Sequence, residues 1–430
     1  MIYLSIQGRS EVRLWGLDAA TRLTRQLAQS TRFERIEIDA ANPGTPCDAK
    51  GQALPAQAQV LLARADYLFE ARTLTGLIGA DSTQPAGSAE HRLLRCAEDQ
   101  QLAAAFVNAA DLPAALAALE TQNAGEFAVI DVAQLSSFDK QLRKAEAPLL
   151  KPVSAGNKAT LEAHLYGNAY KGVTDFVTKW WWPRPARVVV GWCAAAGITP
   201  NMVTLFGVAL MLTACWLFYT GSYALGLLLG WIMTFLDTVD GKLARVTITS
   251  SKIGHVLDHG MDIVHPPFWY IFWGLSLTSV AGFTPWLGAE YGLNMPAWCG
   301  LVMVAYIAGR LLEAAFHGIA DCSLFAWQPF DAYNRLFTAR RNPCMVLLTI
   351  AVALGRPDWG FYAVVLWSLF SSAVMVVRLL QAIALRLRTG PVQSWLADPE
   401  RAAREHPVAF ARFSGTQGAY RTTAPANTNP

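Results

Sequence analysis

The chain is short of charge: Asp, Glu, Lys and Arg make up 16% of its 430 residues, against 53% hydrophobic. That balance is unusual for a soluble protein and points to membrane-buried structure. A dominant sign of charge is missing too. The net charge of +3 is slight and the basic residues form no long run, which argues against nucleic acid as a partner. Cysteine is sparse and unordered. Cys47, Cys96, Cys193, Cys215, Cys299, Cys322 and Cys344 include no Cys-x-x-Cys pair and no Cys/His spacing suited to zinc, so they read as free thiols in a reducing compartment. Met1 to Asp39 alternates charged and apolar residues without the continuous apolar core of a secretory leader. The first domain is therefore expected to stay in the cytoplasm.

What is present falls into parts that face different solvents. Up to about Pro200 charge and small residues are mixed, and beyond it apolar runs dominate. Residues 1–150 read as a cytoplasmic α/β, Rossmann-like domain: a strand over Met1 to Ile6, a helix from Asp18 to Ser30, a strand around Arg35 to Ile38 and an apolar run Val60 to Leu62. The alternation suggests a parallel sheet. Residues 151–200 read as a linker and an amphipathic juxtamembrane helix, with Lys179-Trp180-Trp181-Trp182-Pro183-Arg184 as an interfacial belt beside basic residues. Residues 201–388 hold six apolar segments, near 202–220, 223–244, 258–282, 297–319, 343–356 and 359–384, to be compared with the ~20 residues that a bilayer requires. Lys242, Arg245, Lys252, Arg335, Arg340, Arg341, Arg386 and Arg388 lie between or after them on one side. That side is expected to face the cytoplasm, with both termini. Residues 389–430 read as a disordered cytoplasmic tail.

Segments two and three meet at Asp237-Thr-Val-Asp240-Gly241-Lys-Leu-Ala244-Arg245, followed by Gly254, Asp258 and Asp262. Steps of three, four and seven put Asp237, Asp240, Gly241 and Ala244 on one helix face, and the step of four does so for Asp258 and Asp262. A charge in the apolar interior costs about 2.5–3.5 kcal/mol on the most lenient scale, so four carboxylates at span ends need compensation. Oxygen ligands without cysteine favour a hard cation, Mg²⁺ or Mn²⁺. Pairing with Lys242, Arg245 and Lys252 is the alternative compensation. Gly241 and Ala244 keep the helix surface low enough for a flat base and pyrophosphate, and Arg245 is placed to hold phosphate oxygens.

The string resembles the signature of the CDP-alcohol phosphotransferases, D-x2-D-G-x2-A-R-x8-G-x3-D-x3-D, at all its fixed positions and spacings. The likeness runs from about Thr199 to Arg388 and includes Thr199-Pro200-Asn201 and Thr204. It implies a six-transmembrane-helix fold, a homodimer, and a site opening to the cytoplasm. Asp237, Asp240, Asp258 and Asp262 would hold metal, two ions per site, and Asp262 would also serve as base. Asp237, Asp240, Gly241, Ala244, Arg245 and Gly254 would accommodate the CMP moiety. The implied partners are a CDP-alcohol donor, with CDP-diacylglycerol favoured over a soluble CDP-polyol, an alcohol acceptor, and the lipid bilayer of a bacterial-type inner membrane. Two other classes compete: a divalent-cation transporter, which needs acids along several spans although the later spans hold only Glu313, and a scaffold, which needs none.

Lys252, Arg310, Arg335 and Arg378 are candidates for binding a phosphate on the acceptor, with Arg340 and Arg341 near them. The competing expectation for Arg310 is an intrahelical pair with Glu313. The first domain resembles nucleotidyltransferases from Trp15-Gly16-Leu17 through Arg22 to Leu27, at Leu61 to Asp66 and at Lys151-Pro152. Its fusion to such a membrane domain resembles the bifunctional inositol-phosphate cytidylyltransferase and di-inositol-phosphate phosphate synthase. Ser5-Ile6-Gln7-Gly8-Arg9-Ser10 offers a single glycine where a triphosphate cradle needs a glycine-rich loop, so this domain is expected to be degenerate.

Overall fold

The computed structural model describes residues 2–30, 33–36, 46–48, 51–79, 91–250 and 252–415; the side chains of 30 and 252–259 fall outside that description. The chain divides into two compact units, one of residues 1–139 and 146–165, the other of 140–145 and 166–430.

The first unit is built on a six-stranded sheet. Its strands are β1 (Ile2–Gln7), β2 (Phe33–Arg35), β3 (Gln59–Arg64), β5 (Arg92–Arg95), β6 (Leu102–Asn108) and β7 (Ala128–Asp131), in the order β2-β1-β3-β6-β5-β7, while β4 (Tyr67–Phe69) pairs with Leu150–Pro152. Helices cover both faces. On β3, Leu61 and Ala63 join Leu23 and Leu27 of α1 (Ala19–Ser30) and Leu74 and Leu77 of α2 (Ala71–Ile78). Val60 and Leu62 point the other way, into the cluster with Leu112 and Ala115 of α3 (Leu112–Thr121). This two-sided burial is why Val60 to Leu62 reads as an unbroken apolar run. The expected parallel sheet is corrected to a mixed one, because β6 runs antiparallel to both β3 and β5. The expected strand near Arg35 ends there, and residues 37 and 38 lie outside the description.

The second unit is helical. After α4 (Lys158–Asn168) and a π-turn at Val177–Trp181 come α5 (Pro183–Ala196), α6 (Pro200–Tyr219), α7 (Tyr223–Val246), α8 (Lys252–Ser279), α9 (Met295–Ile319), α10 (Pro329–Phe337), α11 (Arg341–Ala353) and α12 (Pro357–Thr389). Among the described residues, α6, α7, α9 and α12 are long and apolar enough to cross a membrane. Helix α8 has 28 residues and α11 only 13. Thr199 caps α6 by accepting from the Met202 amide, with Pro200 at the first position, so Thr199-Pro200-Asn201 is a helix start. Trp269, Trp273, Phe218 and Phe361, each at most 1% exposed, fill the core between the helices. Trp180 and Trp181 are exposed, but Lys179 beside them is buried. Its Nζ donates to the Gly172 carbonyl at 2.7 Å and lies 5.2 Å from the Phe413 ring centroid.

The disordered tail expected from residue 389 is corrected over 391–415. Two short helices, α13 (Pro399–Glu405) and α14 (Pro407–Phe413), end a segment in which Val392, Leu396 and Phe413 are buried. Trp395 donates its amide to the Trp327 carbonyl, and the Ser394 hydroxyl to that of Ala326. At its end the Ser414 carbonyl accepts from the Ala145 amide, and Phe413 meets Tyr333 edge-on at 5.0 Å. Sparse apolar residues in a charged stretch gave no periodic signal, yet Val392, Leu396 and Phe413 are anchored. Phe413→Ala should loosen this segment by about 3–5 kcal/mol, the range for deleting a buried aromatic. Trypsin should then cleave near Arg401 and Arg404 faster than in the wild type, and an unchanged digestion pattern would refute the docking.

Candidate active site

Asp237 and Asp240 come from the last turns of α7, and Asp262 from the third turn of α8. The helix spacing read from the sequence puts the first two on one face, and packing of α8 brings the third opposite. What joins them is Arg341, the first residue of α11. Its Nη2 donates to Asp237 Oδ2 and its Nη1 to Asp262 Oδ1, both at 2.6 Å. One guanidinium therefore neutralises two carboxylates from different helices, in the fork geometry that arginine offers and lysine lacks. Asp240, 4% exposed, accepts from the Thr204 hydroxyl at 2.6 Å. Thr204, one turn into α6, thus holds the second acid of the string.

These groups open on a cavity of about 500 Å³. Asp237, Asp262, Gly241, Arg245, Arg310 and Arg335 line it together. A Cβ placed on Gly241 would meet nothing nearer than Arg245 Nη1 at 3.9 Å. The glycine leaves the cavity floor open, as a flat ligand requires. Arg245 donates Nη1 to the Ala169 carbonyl. Ala244 lies beside this wall but not on it, and Asp240 sits behind it. Lys242, expected as a loop cation at the membrane surface, is instead 6% exposed within α7, its Nζ 3.8 Å from the Tyr170 ring centroid. The side chains of Lys252 and Asp258, and the position of Gly254 relative to the cavity, lie outside the described residues.

The cationic candidates separate. Arg310 is bound to the Tyr306 hydroxyl through Nε and Nη2, and Tyr306 donates in turn to the Ile263 carbonyl, beside Asp262. Its expected pair with Glu313 is corrected: Glu313 forms an ion pair with Arg340. Arg335 is on the cavity. Arg378 is not: it makes a two-pronged pair with Asp331, Nε and Nη2 each 2.7 Å from a carboxylate oxygen, and Asp331 is 0% exposed. A charge so engaged is spent on the fold. Missed by the sequence reading were Arg341 as the clamp, which was one of several arginines in a basic loop, and Asn342 beside it. Asn342 donates Nδ2 to Asp175 Oδ1 and Thr178 Oγ1 at 3.1 Å, tying α11 to the turn before α5.

Among the described residues no group of three His, Cys, Asp or Glu is arranged as a metal site. The donor set still suits a hard divalent cation, because two carboxylates converge on a single positive charge.

Residues 197–330 match the CDP-alcohol phosphatidyltransferase family. Among similar proteins, choline/ethanolaminephosphotransferase 1 of Arabidopsis thaliana is 33% identical over 44% of this chain and 56% of its own length. Choline/ethanolaminephosphotransferase 2 of the same plant is 29% identical over 41% and 54%. Archaetidylinositol phosphate synthase of Pyrococcus horikoshii is 41% identical over 16% of this chain and 37% of its own length. The chain thus spans about half the length, or less, of these curated relatives.

Arg341→Gln leaves Asp237 and Asp262 facing each other without a cation. In EDTA the variant should lose about 1.5–3 kcal/mol, the worth of hydrogen bonds between charged groups. Added Mg²⁺ should restore more stability to it than it adds to the wild type. An equal response of both proteins by scanning fluorimetry would contradict the clamp.

Proposed function

We propose that the chain is an integral-membrane enzyme that transfers a phosphoalcohol group from a CDP-alcohol to an acceptor hydroxyl and releases CMP. The observation that carries this reading is the convergence of Asp237 and Asp262, from two helices, on one cavity beside the open face of Gly241. The family match over residues 197–330 supports it independently. A transporter would need a path of acids through the spans, and no feature of a scaffold calls for carboxylates clamped at a cavity.

In this reading Asp237, Asp240, Asp258 and Asp262 hold Mg²⁺ or Mn²⁺, two ions per site. When bound, such ions neutralise the transferring phosphoryl oxygens and the departing CMP. The acceptor hydroxyl attacks the phosphorus that carries the alcohol, the bond from that phosphorus to the oxygen of CMP breaks, and the hydroxyl proton passes to Asp262. Its carboxylate is 37% exposed, accessible from the cavity. Gly241, Ala244, Gly254 and Arg245 accommodate the CMP moiety. Thr204 keeps Asp240 oriented, and Arg341, which holds Asp237 and Asp262 together, would share these carboxylates with the cations. Six spans, with α8 and α11 completing α6, α7, α9 and α12, a homodimer, and a cavity facing the cytoplasm belong to the same proposal.

CDP-diacylglycerol with a polar acceptor is the favoured pair, because the cavity is rich in cations; a soluble CDP-polyol donor is the second reading. The first unit is proposed not to transfer nucleotides. The turn after β1 carries one glycine, Gly8, at φ +74°, and the nearby cleft spends Arg64 on Asp66 through two hydrogen bonds.

Purified protein should release CMP from a CDP-alcohol in the presence of Mg²⁺ and not in EDTA. Asp262→Asn should lower kcat by at least about 10²-fold, the lower range for removing a general base. Absence of CMP release with CDP-diacylglycerol, CDP-choline and CDP-inositol alike, or full activity of the variant, would sink the proposal.

A further inference from the structure

Helix α8 carries two adjacent prolines, Pro266 and Pro267, and stays helical through both. In an α-helix the amide of residue i donates to the carbonyl of residue i−4. Proline has no amide hydrogen, and its ring pushes that carbonyl aside. The two carbonyls deprived in this way are those of Asp262 and Ile263. The gap in the helix therefore opens at the aspartate that is the proposed base. An apolar helix keeps such a gap only where neighbouring groups satisfy the freed backbone.

Tyr306 of α9 supplies what the prolines withhold. Its hydroxyl donates to the Ile263 carbonyl at 2.8 Å and lies 3.3 Å from that of Asp262. A hydroxyl has one hydrogen to give and two lone pairs. Arg310 takes the lone pairs, its Nε and Nη2 donating at 3.2 and 2.9 Å. A cation on the phenol oxygen makes the phenol hydrogen a better donor. His265 serves the carbonyl just before, with Nδ1 2.6 Å from the Met261 oxygen. A carbonyl only accepts, so Nδ1 carries the proton. Side chains thus hold three consecutive carbonyls of α8. Asp262 is fixed at both ends, its carboxylate by Arg341 and its backbone by Tyr306. With any other residues at 266 and 267 the helix would close itself, and the phenol would be dispensable. The prolines hand the position of this turn from α8 to α9.

We propose that Tyr306 is a positioning residue for the transfer: its hydroxyl sets the backbone of the Asp262 turn, and through it the direction of the carboxylate that takes the acceptor's proton. This rests on reading the cavity as a transferase site. A misplacement of about 1 Å in a reacting group costs up to about 10²-fold in rate. Prolines are where helices bend, so a turn without two of its own bonds is softer than the helix around it. Arg310, on the cavity wall, acts here as the support of Tyr306.

A double-mutant cycle between the phenol and the prolines tests this on the purified full chain. Tyr306→Phe should lower kcat for CMP release roughly tenfold, with KM for the CDP-alcohol within about twofold of the wild type. Hydrogen exchange of α8 peptides, followed by mass spectrometry, should quicken in the same variant. Pro266→Ala/Pro267→Ala restores the two missing amides. In that background Tyr306→Phe should cost less than about threefold in kcat and leave the exchange as it was. If Tyr306→Phe is too unstable to purify, recovery of folded protein in the alanine background reads the same coupling. A phenol that merely packs would give equal losses in both backgrounds. That result, or wild-type kcat and exchange in Tyr306→Phe, would overturn the proposal. Exchange coupled to the prolines in a protein that releases no CMP from any CDP-alcohol would overturn the transferase reading and leave Tyr306 as the tie of this turn.

Discussion

Carboxylates at the ends of apolar helices cannot stand alone, and the way this molecule neutralises them organises everything near the site. Asp237 on α7 and Asp262 on α8 share the guanidinium of Arg341. The side chain next to it in sequence, Asn342, reaches Asp175 and Thr178. Two consecutive residues at the start of a 13-residue helix thereby fix two long helices and the turn that precedes α5. The strength of the arrangement lies in its geometry: a planar fork with two donors satisfies two acids at once, where a lysine would satisfy one. Under the proposed function the same carboxylates, shared with Arg341, would also hold the divalent cation.

Charge elsewhere in the unit is handled in two different ways. Where a cation is part of the framework it is matched at once: Arg378 with Asp331, Arg340 with Glu313, Arg356 with Asp358. Two cations on the cavity have weaker partners, a phenol for Arg310 and a ring for Arg335, although Arg340 and Arg341 on the same wall are paired with carboxylates. Residues 391–415 are held against the same unit. Phe413 and Ser414 reach the wall of the cavity through Gly172 and Ala145, so the last described turns of the chain bear on the site.

Much of this was legible in the sequence, because the relevant rules are local. Helix spacing placed Asp237 and Gly241 on one face, and apolar length located α6, α7, α8, α9, α11 and α12, though not α10. The apolar run at Val60 to Leu62 marked a strand buried on both sides. The rest depended on contacts between distant segments. Nothing in Arg340-Arg341 says which of the two arginines clamps the acids and which pairs with Glu313. Arg378, spaced like a substrate ligand, is consumed by an aspartate 47 residues away. Lys179 and Lys242 look like surface cations and instead lie buried against the rings of Phe413 and Tyr170. The antiparallel β6 has no signature distinguishing it from a parallel strand, and helices as short as α13 and α14 carry too few turns to show a period.

The account turns on the claim that the acids of α7 and α8 are a divalent-cation site in the working protein and an arginine-clamped site without it. Mn²⁺ binding followed by electron paramagnetic resonance on the purified full chain measures this directly. The account predicts saturable binding that weakens at least about tenfold in Asp237→Asn, from the loss of one charged ligand, and is unchanged in Asp111→Asn of the first unit. Equal Mn²⁺ affinity in Asp237→Asn and the wild type would contradict it.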